Sequence, residues 1–142
     1  MVAIAILAHG DFAYGLLGVA EMMLGSQDNV AVVALQPSDN IESFQQKTEE
    51  VIKQLCTDQG LFLLADIFGG TPANTAARWV SQGRGTLVTG VNVPMLLELL
   101  TARQTETADS LVGKVKEWGL QGIQVLLPTH FTQAMEPGGG KQ

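Results

Sequence analysis

A short apolar run at the start of the chain constrains the fold more than any other feature. Residues 2–8 are all apolar, and the run ends abruptly at His9 and Gly10. An apolar run of this length without alternation is typical of a strand that is buried on both faces of a parallel sheet. Because ligands bind outside the carboxyl ends of such strands, His9 is predicted to lie at the functional edge of the sheet.

Further apolar runs alternate with helical patterns along the rest of the chain. Strands are predicted over residues 30–35, 61–65, 86–89 and 123–127. Helices are predicted over about 13–24, from a cap at Asp39 to about 55, over 72–81, from Asn92 to about 100, and over about 108–118. The alternation predicts an α/β fold, a doubly wound and mostly parallel sheet with helices on both faces.

The size and composition of the chain exclude several classes of protein. Its 142 residues suit one domain, predicted over 1–127, followed by a flexible tail or linker remnant over 128–142 that contains three consecutive glycines. A hydrophobic content of 46% with 15% charged residues excludes a disordered protein. The net charge of −6 argues against nucleic acid or an anionic membrane as the main partner.

The same survey makes no case for a cofactor, a metal or a membrane span. Two distant histidines do not form a zinc site, and neither a phosphate-binding loop nor a dinucleotide-binding glycine motif is present. The lone Cys56 excludes a disulfide framework, and no apolar run approaches the roughly 20 residues that span a membrane. No basic segment precedes the first apolar residues, so we expect a cytoplasmic protein without a signal peptide.

A carboxylate follows the third predicted strand at the position that His9 has on the first. Asp66 comes directly after residues 61–65. In the doubly wound strand order 2-1-3-4 the two strands are neighbours, so their ends lie about 4.8 Å apart. A carboxylate beside an imidazole fixes its tautomer, leaves the other ring nitrogen free to attack, and stabilises the cationic ring.

The sequence Gly69-Gly70-Thr71-Pro72 follows at the same predicted edge. Glycine allows the backbone to approach a ligand, and Thr71 and Pro72 suit the N-cap and first position of a helix whose free N–H groups bind anions. With His9 and Asp66, this arrangement predicts phosphoryl transfer through a phosphohistidine. The simpler alternatives are a structural histidine, an aspartate that caps its own loop, and a tight turn before an ordinary helix.

At these residues the chain resembles the IIA domain of the mannose family of the bacterial phosphoenolpyruvate-dependent sugar phosphotransferase system. The resemblance covers about residues 1–127. It is carried by three motifs in order: Ile4-Ala5-Ile6-Leu7-Ala8-His9-Gly10, then Leu64-Ala65-Asp66-Ile67-Phe68-Gly69-Gly70-Thr71-Pro72, then Val88-Thr89-Gly90-Val91-Asn92-Val93-Pro94-Met95-Leu96-Leu97-Glu98.

The resemblance implies a role for each motif residue and a set of partners. His9 is expected to accept a phosphoryl group from the phosphocarrier HPr and to pass it to the IIB component, which hands it to a sugar that enters through the membrane components IIC and IID. Asp66 is expected to orient His9, while Gly70 and Thr71 hold the phosphoryl oxygens. The protein would then be cytoplasmic, held at the inner face of the plasma membrane only through the transporter complex.

The resemblance also implies a homodimer in which the last strand, residues 123–127, is exchanged between subunits. Two other functions fit the same chemistry. One is the phosphocarrier component of dihydroxyacetone kinase, which shares the fold and differs in its partner. The other is a regulatory domain whose phosphorylation switches a transcription factor.

Overall fold

The computed structural model describes residues 1–135. The glycine-rich part of the tail that was expected to be flexible lies outside the described residues. The elements, in chain order, are β1 (Ala3–His9), α1 (Phe12–Leu24), β2 (Val30–Leu35), α2 (Ile41–Ile52), β3 (Leu61–Ala65), α3 (Gly70–Ser81), β4 (Thr86–Thr89), α4 (Val93–Ala102), α5 (Ala108–Val112), α6 (Val115–Gln121) and α7 (Pro128–Met135).

The sheet confirms the predicted α/β fold. Its four strands are all parallel and lie in the order β2-β1-β3-β4. One face packs against α1, α4, α5 and α6, and the other packs against α2 and α3. The central strands β1 and β3 are therefore covered on both faces, and residues 2–8 and 61–65 are all buried. This explains why their sequences are apolar without alternation.

Several helix boundaries differ from the sequence predictions. The cap of α2 is Asn40, not Asp39, because Asn40 and Ser43 each accept a hydrogen bond from the other's backbone N–H. Asp39 instead accepts a hydrogen bond from the Lys47 ammonium group at 2.6 Å, which lowers the pKa of Asp39 to about 2. The single helix predicted over 108–118 is broken by a turn at Gly113, so that it forms α5 and α6.

The predicted last strand is wrong for the isolated chain. Residues 123–127 belong to no helix and no sheet, and all of their side chains are exposed. The helix α7 follows them, so the first part of the tail has a secondary structure that its sequence did not predict. The apolar pattern of residues 123–127 indicates a strand, but within the described chain no neighbouring strand supplies hydrogen bonds to it.

The end of α6 fixes the point from which this segment leaves the domain. The Asn92 amide, at the start of α4, donates a hydrogen bond to the Gly119 carbonyl at 2.9 Å. A Cβ atom at Gly122 would collide with the ring of Pro94, so glycine is required for α6 and α4 to approach this closely. No helix among residues 1–135 is both long and apolar enough to cross a membrane.

Candidate active site

His9 and Asp66 lie side by side at the carboxyl edge of the sheet. Leu7 of β1 pairs with Ala65 of β3, so Asp66 follows directly after the last paired position and β1 extends two residues beyond it. The ring Nδ1 of His9 lies 2.8 Å from the Asp66 Oδ2 atom. The sheet register therefore brings together the two residues that the sequence places 57 positions apart.

Three donors hold the carboxylate of Asp66 in one orientation. The backbone N–H of His9 donates to Oδ2 at 2.9 Å, the His9 ring occupies the same oxygen, and the backbone N–H of Ile67 donates to Oδ1 at 3.0 Å. Partial burial raises the pKa of Asp66, but these hydrogen bonds and the nearby imidazole outweigh it, so the pKa lies below its ordinary value of 3.8. Asp66 is therefore a fixed, ionised acceptor at neutral pH.

The other ring nitrogen of His9 faces the glycines that begin α3. Because Nδ1 is engaged by Asp66, Nε2 is the nitrogen with a free lone pair, and it has no hydrogen-bond partner within residues 1–135. A Cβ atom at Gly70 would lie 3.6 Å from Nε2 and 3.4 Å from Cε1. Gly69 and Gly70 both have a φ of +79°, which favours glycine.

The start of α3 departs in part from the sequence prediction. Thr71 was predicted to be the N-cap and Pro72 the first helical residue, but the helix begins at Gly70 with Gly69 as a cap that makes no side-chain hydrogen bond. Thr71 consequently lies in the first turn, where it lines a cleft of about 640 Å³ beside Asn40 and Ile41. Among residues 1–135, no side chain accepts a hydrogen bond from the first N–H groups of α3, which leaves them available to an anion at this edge.

Exposed apolar side chains flank His9, and the sequence analysis did not identify them as functional. Phe68 is 86% exposed, and Ile67 is 59% exposed. Phe12 at the start of α1 and Ile41 at the start of α2 are also exposed. These four side chains are called the apolar rim below. For Ile67 and Phe68, the signal in the sequence was the presence of apolar residues in a loop directly after a strand.

Comparison with known families identifies the family to which the chain belongs. The model of the family described as "EIIA-man: PTS system fructose IIA component" matches residues 3–116. The chain belongs to this family. The resemblance stated from the three motifs is therefore confirmed, and the chain is a IIA component of a sugar phosphotransferase system.

Individual relatives of this IIA component are similar over most of its length. It is 39% identical over 127 residues to the PTS system mannose-specific EIIAB component of Escherichia coli (strain K12), covering 88% of this chain and 39% of that protein. It is 32% identical over 126 residues to the PTS system fructose-specific EIIA component of Bacillus subtilis (strain 168), covering 88% and 86%. The chain thus spans about two fifths of the length of the first relative.

A solved structure shows the same architecture. The mannose/sorbose specific IIA subunit of the phosphotransferase system from Enterococcus faecalis superposes with a TM-score of 0.80 at 25% identity, covering 89% of this chain and 96% of that one. Within residues 1–135, no group of three or more His, Cys, Asp or Glu side chains is arranged to hold a metal ion.

Proposed function

We propose that this IIA component carries a phosphoryl group on Nε2 of His9, which it accepts from HPr and donates to the IIB component. The observation that carries the proposal is the Nδ1 to Oδ2 contact of 2.8 Å, because it leaves Nε2 as the nucleophile and directs it toward Gly70. Membership of the family supports the phosphotransfer chain as the setting. The protein acts in the cytoplasm and reaches IIC and IID only through IIB.

Before the transfer, the neutral His9 ring carries its proton on Nδ1, where it is donated to Asp66. The Nε2 lone pair attacks the phosphorus of the phosphohistidine on HPr, the new N–P bond forms, and the N–P bond of the donor breaks with its electron pair returning to the donor ring. The His9 ring then carries positive charge, which the Asp66 carboxylate stabilises through Nδ1–H. The second transfer reverses these events with IIB as the acceptor.

The phosphoryl oxygens are held by the start of α3. The backbone N–H groups of Gly70 and Thr71 lie at the positive end of the α3 dipole, and the Thr71 hydroxyl makes no hydrogen bond within the described part of the chain. A phosphoryl group on Nε2 brings three acceptor oxygens to these donors. This arrangement stabilises the negative charge of the phosphoryl group on His9.

Phosphorylation by the purified upstream phosphotransfer proteins tests the proposal directly. The protein is incubated with phosphoenolpyruvate, enzyme I and HPr, and the modified residue is mapped by mass spectrometry under alkaline conditions. A single phosphoryl group that is labile in acid, stable in base and located on His9 is the expected result. Modification of any other residue would refute the assignment.

Substitution of Gly70 by alanine is expected to slow phosphoryl transfer. The new methyl group would lie 3.6 Å from Nε2, in the space that the phosphoryl group needs, and the φ of +79° would strain any residue except glycine. We expect a loss on the order of 10-fold in kcat, comparable to about 1.4 kcal/mol of transition-state energy. Gly10→Ala is the matched control, because its φ is also positive but its Cβ has no neighbour within 4 Å. Equal effects of both substitutions would reduce Gly70 to a turn residue.

The apolar rim is proposed as the surface on which HPr and IIB dock. Phosphoryl transfer requires the partner's histidine to reach Nε2, so each partner must contact the residues around His9. Exposed aromatic and aliphatic side chains of this kind form the energetic centre of many interfaces. Phe68 contributes little to the fold, because 86% of it is already exposed.

Phe68→Ala is therefore expected to raise the KM for phospho-HPr about 10-fold while kcat and the melting temperature change little. Steady-state transfer with varied phospho-HPr measures both constants. Met22→Ala is the control, since Met22 is 89% exposed but lies near the far end of α1. The docking surface lies elsewhere if the two variants have the same KM as the unmodified protein.

We further propose that residues 1–127 form a homodimer in which residues 123–127 of each subunit add a strand to the partner. Four of these five residues are apolar and exposed, and the outer edge of β4 has no partner strand within the described chain. Pairing residues 123–127 with the outer edge of the partner's β4 buries the apolar side chains and gives the strand edge a hydrogen-bonding partner. Exchange of a terminal segment is a common route to a symmetric dimer.

Two truncations test the exchange by light scattering. A chain that ends at Pro128 is expected to remain a dimer, because it keeps the whole segment. A chain that ends at Gly122 is expected to lose the dimer, because it removes the segment but retains α6. A monomeric full-length protein, or a dimer of the shorter chain, would show that the segment does not join the subunits.

A further inference from the structure

A cavity with no role in phosphoryl transfer lies at the end of the sheet opposite His9. It has a volume of about 450 Å³ and opens between the carboxyl ends of α2 and α3 and the amino ends of β3 and β4. Its walls include the apolar side chains of Ile52, Leu55, Leu61 and Trp79. Arg84 borders it, with its guanidinium carbon 3.6 Å from the centroid of the Trp79 ring. Lys53 and Thr57 also line the cavity, so apolar side chains form one part of its wall and polar side chains the other.

The C-terminal arm, residues 123–132, is the part of the described chain that lacks packing partners. All of its side chains are exposed, including Ile123, Val125, Leu126 and Leu127, and Phe131 is 58% exposed. Its second part is nevertheless formed, because α7 spans Pro128–Met135 and the backbone N–H of Leu127 donates to His130 Nδ1 at 2.9 Å. The arm thus presents a preformed helix with an unburied aromatic ring in its first turns.

The starting point of the arm determines the direction in which it can cover a sheet edge. It leaves α6 at Gly122, against Pro94 in the first turn of α4, which follows β4. The arm therefore begins at the carboxyl end of the sheet. If the partner subunit presents the same end, the arm runs antiparallel along its β4, toward the amino end of that strand.

The length of the arm matches this path. Five residues in extended conformation span about 17 Å, which exceeds the length of the four-residue strand β4. The chain then arrives beside Gly85, which precedes β4 and borders the cavity. At this point α7 begins, and Phe131 is the fourth residue of α7.

We propose that α7 of each subunit docks over this cavity of the partner subunit and inserts Phe131 between Ile52, Leu55 and Leu61. This inference rests on the proposed strand exchange and extends it, because it assigns a second contact to the part of the arm beyond residue 127. The dimer then has one interface along β4 and another beneath it, far from both His9 side chains. The parallel orientation of the exchanged strand would instead bring α7 to the edge where His9 lies.

Disulfide trapping distinguishes these arrangements. In a Cys56→Ser background, which removes the exposed native thiol, Thr132→Cys is combined with Lys53→Cys at the cavity or with Glu42→Cys beside Thr71 at the His9 edge. The pair at positions 132 and 53 is expected to form a covalent dimer on oxidation, since a disulfide requires Cα atoms within about 7 Å. The pair at positions 132 and 42 is expected not to cross-link. Addition of Phe131→Ala should abolish the cross-link at position 53.

Light scattering on the same proteins separates the two proposals. A dimer that fails to cross-link at position 53, or that cross-links at position 42, overturns the docking of α7 and leaves strand exchange intact. A monomer overturns both. As a second measurement, Phe131→Ala in the otherwise unmodified chain should lower the melting temperature of the dimer by about 4 °C. Thr132→Ala, a neighbouring exposed position, should leave it unchanged, and equal melting temperatures for both variants would also overturn the docking.

Discussion

Replacement of His9 by alanine is expected to abolish phosphoryl transfer while the protein stays folded. The substitution removes Nε2, the atom that forms the N–P bond, so no slower route through the same residue remains. About half of the His9 side chain is exposed, and its ring makes one hydrogen bond, to Asp66, within the described residues. We expect at least about a 1,000-fold loss of phosphoryl acceptance from HPr and a melting temperature within a few degrees of the unmodified protein.

The second histidine provides the matched control for this experiment. His130 lies in α7, where its ring accepts a hydrogen bond from Leu127, and it is exposed. His130→Ala should accept one phosphoryl group per chain at the normal rate. Stoichiometric labelling of His9→Ala, measured by mass spectrometry after incubation with phospho-HPr, would move the phosphorylation site to another residue.

Replacement of Asp66 by asparagine is expected to slow transfer on the order of 100-fold without removing the nucleophile. The Asp66 carboxylate accepts from the His9 backbone, the His9 ring and the Ile67 backbone, all of which are donors. An asparagine side chain has a single carbonyl oxygen, so its NH₂ group must face at least one of these donors. The ring loses either its orientation or the negative charge that stabilises its phosphorylated, cationic form.

Single-turnover transfer from phospho-HPr measures this loss, with Asp11→Asn as the control. Asp11 is a carboxylate on the same edge, and it makes no side-chain cap hydrogen bond to α1. Removing its charge should leave the rate within about twofold. If Asp66→Asn and Asp11→Asn slow transfer equally, the effect comes from general charge near the site and not from the contact with Nδ1.

The pKa of Asp66 gives a dependence on pH that can be checked separately. Since folding lowers this pKa below 3.8, the ionised carboxylate contributes stability above the ordinary value. That contribution is lost as the pH falls through the lowered pKa of the folded state. The difference in melting temperature between the unmodified protein and Asp66→Asn should therefore shrink as the pH falls below about 4. A difference that grows on acidification would contradict the direction of the shift.

The sheet was predictable from sequence because its central strands β1 and β3 are buried on both faces and therefore have uninterrupted apolar runs. The edge strands are also short and mostly apolar, and β2, β3 and β4 have the boundaries that the sequence predicts. The contact between His9 and Asp66 followed from the same information, since residues that end neighbouring parallel strands must meet at one edge. Strand order was the single added assumption, and the structure has that order.

The details that failed depend on contacts that no local pattern records. Asn40 replaces Asp39 as the cap of α2 because the side chains of Asn40 and Ser43 each accept a hydrogen bond from the other residue's backbone N–H. Arg103, the C-cap of α4, is only 1% exposed because its guanidinium group donates hydrogen bonds to the backbone carbonyls of Val2, Asp28 and Asn29. No local sequence pattern predicts that this guanidinium group is buried. Residues 123–127 have the composition of a strand, but whether they form one depends on a surface outside their own chain.

Because the register of β1 and β3 positions His9 and Asp66, substitutions in these buried strands and substitutions in the apolar rim have different consequences. The distance from His9 to Asp66 follows from the pairing of two buried strands and from the backbone N–H groups of His9 and Ile67, which hold the carboxylate. The side chains of the apolar rim come from the loops and helix ends around that pair. The rim can consequently acquire new side chains, and with them a different preference among donor and acceptor proteins, while the geometry of the nucleophile stays the same. Laboratory evolution of partner choice should therefore find its permissive positions at Phe12, Ile41, Ile67 and Phe68.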